Sequence, residues 1–285
     1  WFPLTAILFA AVFMATNAFI IIKGVEGGIE KFNKVGMPAL FIILIVLLAR
    51  TITLDGAQVG FAYMLSCDWS KVGFNTFLSA LGQAFFSLSL GMAIMITYGS
   101  YLPKHENLGK NTALICTMDT LVALIAGFII VPAVFATLGS ENVGKGGGFA
   151  FASLAGVFEH MAGGAFFGVL FYMLLLFAAL TSSIALTESA VSTLQDELHW
   201  SRKKATSIMG VSMVLLGSLS SLGYGPLANV TVIGMQFLDF FDFLTNSVMM
   251  PIAAIASCIL VSRVIGVDRI ADEVTLNGAP FRRRK

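Results

Sequence analysis

Gln83-Ala84-Phe85-Phe86-Ser87-Leu88-Ser89-Leu90-Gly91-Met92 decides how the rest of the chain is read. It lies inside an apolar stretch, 77–101, and about 20 mostly apolar residues suffice to cross a bilayer as a helix. Yet it carries two hydroxyls, Ser87 and Ser89, and a glycine, Gly91, near its middle. Glycine costs about 1 kcal/mol against alanine in a helix interior. A helix that unwinds at this depth exposes backbone carbonyls and amides, and a membrane tolerates that only where the backbone lines a cavity within protein. The stretch therefore predicts an interrupted span beside a polar site.

Working outward, comparable apolar runs occupy 3–22, 35–54, 112–138, 164–193, 206–226 and 236–265. The second is clipped by Arg50, and the last carries Asp239 and Asp242 near its start. In lipid the backbone must satisfy its own hydrogen bonds, so runs of this length read as helices. The bulk figures agree: 57% of the 285 residues are hydrophobic, 12% are charged and mean hydropathy is +0.89. A soluble domain of this length needs far more charge to cover its surface. A net charge of +1 suggests no nucleic-acid partner. Cys67, Cys116 and Cys258 have no CxxC spacing, which argues against a disulfide framework or a thiolate metal site.

Lysine and arginine set the orientation. Alternate connections hold Lys23, Lys31 and Lys34; Lys104 and Lys110; Arg202, Lys203 and Lys204; Arg263 and Arg269; and the run Arg282 to Lys285. The opposite connections hold only Arg50, Lys71 and Lys145. The first set is expected in the cytoplasm, which puts the C-terminus inside and Trp1 outside. The start at Trp1, with no basic n-region or cleavage site, is not a signal peptide. It leads to the expectation that an odd number of spans precedes it. The run Gly144-Lys145-Gly146-Gly147-Gly148 lacks the GK[ST] ending of a phosphate loop and reads as a flexible outer connection.

Ionisable residues within spans are costly and mark candidate sites. Asp119 lies inside the fourth span and Glu188 toward the cytoplasmic end of the fifth, and no span holds a mid-membrane Lys or Arg to pair with them. A cation from solution, or from a segment before Trp1, is the expected partner. Thr181-Ser182-Ser183 interrupts the fifth span as Ser87 and Ser89 interrupt the third. Hydroxyl, carbonyl and carboxylate oxygens are hard ligands that suit hard cations. Serine and threonine in membrane helices also bond back to their own helix or to a neighbour, so neither cluster alone settles a site.

On these residues the chain resembles the neurotransmitter:sodium symporter family, in its bacterial amino-acid-transporting branch. Gln83 to Gly91, followed by Ile96-Thr97-Tyr98-Gly99-Ser100-Tyr101, is similar to the family's sixth helix. Leu180-Thr181-Ser182-Ser183-Ile184, with Asp196-Glu197-Leu198 and Ser201-Arg202-Lys203, is similar to its eighth helix and the following turn. Gly28 and Pro38 match a glycine–proline pair at the start of its fifth. The resemblance covers nearly the whole chain. It implies an all-α membrane protein with the inverted-repeat transporter fold, these spans being helices four to ten. On it, 1–76 ends the first five-helix repeat, 77–265 is the second and 266–285 is a cytoplasmic segment.

The resemblance further implies a sodium-coupled symporter, not an enzyme. It would carry a neutral or hydrophobic amino acid across the plasma membrane, with a homodimer as an expected assembly. Phe86, Ser87, Ser89, Met92, Ser182 and Leu186 would line the substrate pocket. Ala178 (through its carbonyl), Thr181 and Ser182 would form one sodium site, and Ser87 would contribute to another. Asp119 is similar to the acidic residue that replaces chloride in chloride-independent members; it would join the sodium-site residues and offset the sodium charge, so chloride is not expected to be required. Gln83 and Asp242 match the outer gate, Tyr101 and Asp196 the inner gate, and Gly28, Pro38 and Gly91 the hinge positions. Met92 and Ala93 depart from the family pattern, which has an aromatic residue and a second glycine there.

Other classes fit less well. A seven-helix receptor or sensor shares the span count, but it leaves the hydroxyl clusters and Asp119 unexplained, and a retinal protein needs a mid-span lysine. His105, His160 and His199 lie in or beside loops, far apart in sequence, and form no catalytic cluster. A non-transporting member of the same family remains the third alternative.

Overall fold

The computed structural model describes residues 3–66, 68–138, 155–159 and 161–276. The Gly144–Gly148 run, Cys67, His160 and the basic run Arg282–Lys285 lie outside the described residues. Among the described residues the secondary structure is helical apart from one isolated bridge between Val232 and Met235. Six helices are long and apolar enough to cross a membrane, and the chain is an integral membrane protein.

Helix α1 runs Pro3–Ile22. Helix α2 begins with a π-turn over Val25–Glu30 and continues as α-helix over Lys31–Ile52. Its start lies ten residues before the apolar run predicted at 35–54. Helices extend past the hydrocarbon through polar residues, so hydropathy underestimates their length. Helix α3 (Ala57–Leu65) follows a left-handed Gly56. The predicted third span is two helices, α4 (Phe74–Ser87) and α5 (Ile94–Ser100). Then come α6 (Leu108–Leu138), α7 (Gly164–Leu198) and α8 (Arg202–Gly223). Ser201 caps α8 by accepting from the Lys204 amide, which starts that helix before its apolar run. Helix α9 covers Phe237–Ile265 without a break, with π-turns at Phe243–Met249 and Leu260–Ile265. A short α10 (Val267–Thr275) ends the described chain.

Two compact units interleave along the sequence. The first comprises Trp1–Phe32, Leu81–Ile115 and Leu180–Lys285; the second comprises Asn33–Ala80 and Cys116–Ala179. This division by contact cuts across the 76/77 boundary between expected repeats. Long helices such as α7 contribute to both units.

The second unit is built on Leu40, Leu44 and Leu47 of α2, spaced to share one helix face. They pack with Ile129, Ala133 and Val134 of α6 and with Phe171 and Leu174 of α7. Gly60 on α3 permits a close helix crossing: a Cβ there would sit 2.4 Å from Pro132 Cα. The core of the first unit joins Ile20 and Ile21 of α1, Ile29 of α2, Ile184 and Val191 of α7 and Ala205 of α8. Elsewhere large apolar side chains are exposed, among them Leu8, Phe9, Val12 and Phe19 on α1.

Candidate functional site

The break between α4 and α5 has a defined local cause. Ser89 adopts the left-handed conformation, φ 56°. Its amide donates to the Phe86 carbonyl at 3.0 Å, and the Leu90 amide donates to the Phe85 carbonyl at 2.9 Å. This nested pair is a Schellman motif with Ser89 at C′, a position usually held by glycine. Gly91 follows at φ 81°, and Ala93, at φ 60°, caps α5. Two non-glycine residues thus hold left-handed conformations within five positions, the kind of backbone strain that persists only where surroundings impose it. Gly91 also lies against α9. A Cβ there would come within 2.9 Å of the Met250 carbonyl oxygen. Only glycine combines that positive φ with that approach.

The break aligns helix ends that attract opposite charges. The carbonyls that follow those bonded in the Schellman motif favour a cation and the first amides of α5 favour an anion. Ser87, Ser89 and Met92 are half-buried here, and Phe86 is exposed.

Helix α5 is held to the lower half of α7 by buried polar contacts. Thr97 Oγ1 donates to Ser189 Oγ at 3.2 Å. The Tyr101 hydroxyl donates to Glu188 Oε1 at 2.9 Å. Glu188, fully buried, accepts from both terminal nitrogens of Arg202, Nη1 at 3.0 Å and Nη2 at 2.5 Å. Arg202 Nε donates in turn to the Ile21 carbonyl at 2.7 Å. The partner of Glu188 is therefore a protein arginine, not a cation from solution. The tight turn between α7 and α8 brings Arg202 back into the bundle from what the sequence pattern places in a cytoplasmic loop. Such a buried pair needs extra hydrogen bonds to offset desolvation, and Tyr101 and Ile21 supply them.

Above this level α7 carries the predicted hydroxyls. Ser182 and Leu186, four residues apart, are exposed on one face, and Thr181 is half-buried. Ser183 points elsewhere and accepts a hydrogen bond from Asn17 Nδ2 of α1. Ala178 lies one turn before Thr181 and Ser182 on the same helix.

The other predicted residues are more dispersed. Asp119 is half-buried on α6. Gln83 on α4 and Asp242 on α9 are exposed, and Asp242 accepts from Asn246 Nδ2 at 2.7 Å. Asp196 is exposed near the end of α7, whereas Tyr101 bonds Glu188. Gly28 lies in the π-turn of α2, where a Cβ would fall 2.0 Å from the Ile20 carbonyl oxygen. Pro38 lies inside the same helix and deletes one rung of its hydrogen-bond ladder. The residues missed by sequence reasoning are Asn17, Thr97, Ser189 and the pairing role of Arg202. Asn17 carried a usable signal, as the lone side-chain amide in the first apolar run.

An interrupted membrane helix beside a hydroxyl-bearing partner is an arrangement typical of transporters of the inverted-repeat class. The chain belongs to the sodium:neurotransmitter symporter family, whose pattern matches residues 2–280. That is a transporter family, not an enzyme family. A sodium-dependent transporter of Haemophilus influenzae is 39% identical, over 92% of this chain and 57% of its own length. The sodium-dependent transporter YhdH of Bacillus subtilis is 36% identical, over 95% and 60%. Among solved structures, MhsT in complex with L-phenylalanine matches with a TM-score of 0.86 and 38% identity, covering 98% of this chain and 63% of that one. The chain thus spans about three-fifths of the length of these relatives.

Proposed function

We propose that the protein carries a neutral or hydrophobic amino acid into the cell with sodium, by alternating access. The observation that supports this best is the break at Ser87–Ala93. It offers carbonyls to a cation and amides to a carboxylate at one level of an otherwise apolar helix. Phe86, Ser87, Ser89, Met92, Ser182 and Leu186 are the proposed pocket. Thr181, Ser182 and the Ala178 carbonyl are proposed for one sodium ion and Ser87 for another. The relative solved with L-phenylalanine and a sodium-dependent nutrient amino acid transporter of Drosophila grimshawi, 28% identical over 90% of this chain, favour an amino-acid substrate.

Sodium binds from outside, and the amino acid follows, its carboxylate near sodium and the α5 amides. Gln83 and Asp242 close the outer side; Tyr101 and Asp196 belong to the inner side. The Asp119 carboxylate supplies the negative charge that removes a need for chloride. Each sodium ion crossing 100 mV yields up to about 2.3 kcal/mol, enough for roughly a fiftyfold solute gradient. The plasma membrane, a cytoplasmic C-terminus and a homodimer complete the proposal.

The test is uptake of labelled amino acids into proteoliposomes by the full-length protein, with and without sodium and chloride gradients. Sodium-dependent uptake that persists without chloride is expected. A folded protein that takes up none of them would remove the amino-acid assignment; uptake that stops without chloride would remove the role given to Asp119.

A further inference from the structure

We propose that Asn17 is a positioning residue for the sodium-binding hydroxyls of α7, acting through Ser183. The inference rests on the proposed roles of Thr181 and Ser182 and adds a residue on a different helix to them.

Asn17 lies in an apolar run of α1 and is 1% exposed. Its Nδ2 donates to Ser183 Oγ, 166 residues away in sequence. Its Oδ1 is buried and has no hydrogen-bond partner among the described residues. A buried amide with one unused acceptor is a poor choice for stability, since an apolar side chain of the same volume would fill the space without that penalty. Buried polar groups of this kind are best attested as devices that fix register.

The register at stake is the rotation of α7 about its axis. Successive residues project about 100° apart on a helix. Holding Ser183 toward α1 turns Ser182 by one such step and Thr181 by two, away from α1. Ser182 is accordingly exposed, together with Leu186 one turn on. The buried Thr187 hydroxyl, one turn on from Ser183, donates to the Ser183 carbonyl at 2.7 Å and faces Met213 of α8. Lower on the helix, Glu188 is pinned by Arg202. Two polar pins five residues apart thus fix both the height and the rotation of α7, and the Asn17 pin is the one beside the hydroxyls.

The experiment is sodium titration of uptake by the full-length protein in proteoliposomes. Asn17→Leu and Ser183→Ala should each raise the half-saturating sodium concentration about fivefold or more, with the maximal rate at saturating sodium kept within about twofold. The double variant should shift no further than the larger single one, because both remove the same contact. Ser183→Ala is the milder change and decides the matter if Asn17→Leu does not fold. An unmoved sodium midpoint in Ser183→Ala, or two shifts that multiply, would overturn the assignment. Thr181→Ala with Ser182→Ala is run alongside. If that pair moves the midpoint while Ser183→Ala does not, the role of Asn17 alone is wrong; if the pair itself leaves the midpoint unmoved, the sodium site and the role of Asn17 fall together.

Discussion

Glu188 and Arg202 form a two-pronged ion pair, at 3.0 and 2.5 Å, with the carboxylate fully buried and the guanidinium about a fifth exposed. Because Glu188 also holds the Tyr101 hydroxyl, this pair ties α7, α8 and the end of α5 together. Removing one partner from a buried pair costs about 3–5 kcal/mol, mainly through the charge left behind. Arg202→Ala should therefore lower the thermal midpoint of the detergent-solubilised full-length protein severely. Glu188→Gln keeps an acceptor and leaves only the partly exposed arginine unpaired, so its cost should be smaller. The double variant should melt above Arg202→Ala alone. A single Arg202→Ala variant that melts with the parent would show that the pair is dispensable.

The break in the third span makes a separate prediction at Gly91. An alanine there meets two obstacles, the positive φ and the Met250 carbonyl oxygen 2.9 Å from the new Cβ. The conformational part alone costs about 1–3 kcal/mol. Gly91→Ala should weaken sodium-dependent substrate binding and lower the thermal midpoint. Shortening the Met250 side chain to alanine in the same protein should not restore either, because the obstacle is backbone. Recovery in that double variant would place the conflict at the Met250 side chain, which lies 3.1 Å away at Cγ.

Thr181 and Ser182 give the most direct test of the proposed ion site. Hydroxyl oxygens are hard ligands, and replacing both with alanine removes two of them without enlarging any side chain. The half-saturating sodium concentration for uptake should rise at least about tenfold, equivalent to about 1.4 kcal/mol of lost binding. The substrate affinity measured at saturating sodium should change less. A sodium titration that coincides with the parent's would remove both residues from the site.

The parts of this architecture that sequence made legible are those that break a rule of lipid. Hydroxyls and a glycine in the third run, and the Thr181–Ser183 hydroxyls in the fifth, are visible because apolar helices normally lack such clusters. The position of the break was less legible. It depends on Ser89 and Ala93 in left-handed conformations, and turn rules look for glycine or asparagine there. The ion pair was hidden differently. Glu188 stood out as a buried acid, but Arg202 lies 14 residues on, in a polar turn whose charges normally face water. Only the fold shows that the turn returns it to Glu188. Asn17 stands out locally as a lone amide in an apolar run, but its partner lies 166 residues away, and no local pattern identifies that partner.

Gly28 and Pro38 lead to the final prediction, because the structure separates their roles. The resemblance makes both of them hinge positions; here both lie in continuous helix, Gly28 in the π-turn and Pro38 in the α-helical part of α2. Gly28 is required for packing, since any Cβ would strike the Ile20 carbonyl oxygen at 2.0 Å. Gly28→Ala should therefore destabilise the folded protein whatever the transport step. Pro38 is exposed; its effect is to remove a hydrogen bond, which weakens a helix interior by about 3 kcal/mol. Pro38→Ala should tighten the wound form of α2. Hydrogen exchange across 25–37 should slow, and if half of that energy opposes unwinding, turnover should fall about tenfold, with the substrate concentration for half-maximal uptake little changed. Slower exchange with unchanged turnover would show that this segment stays wound while substrate is released.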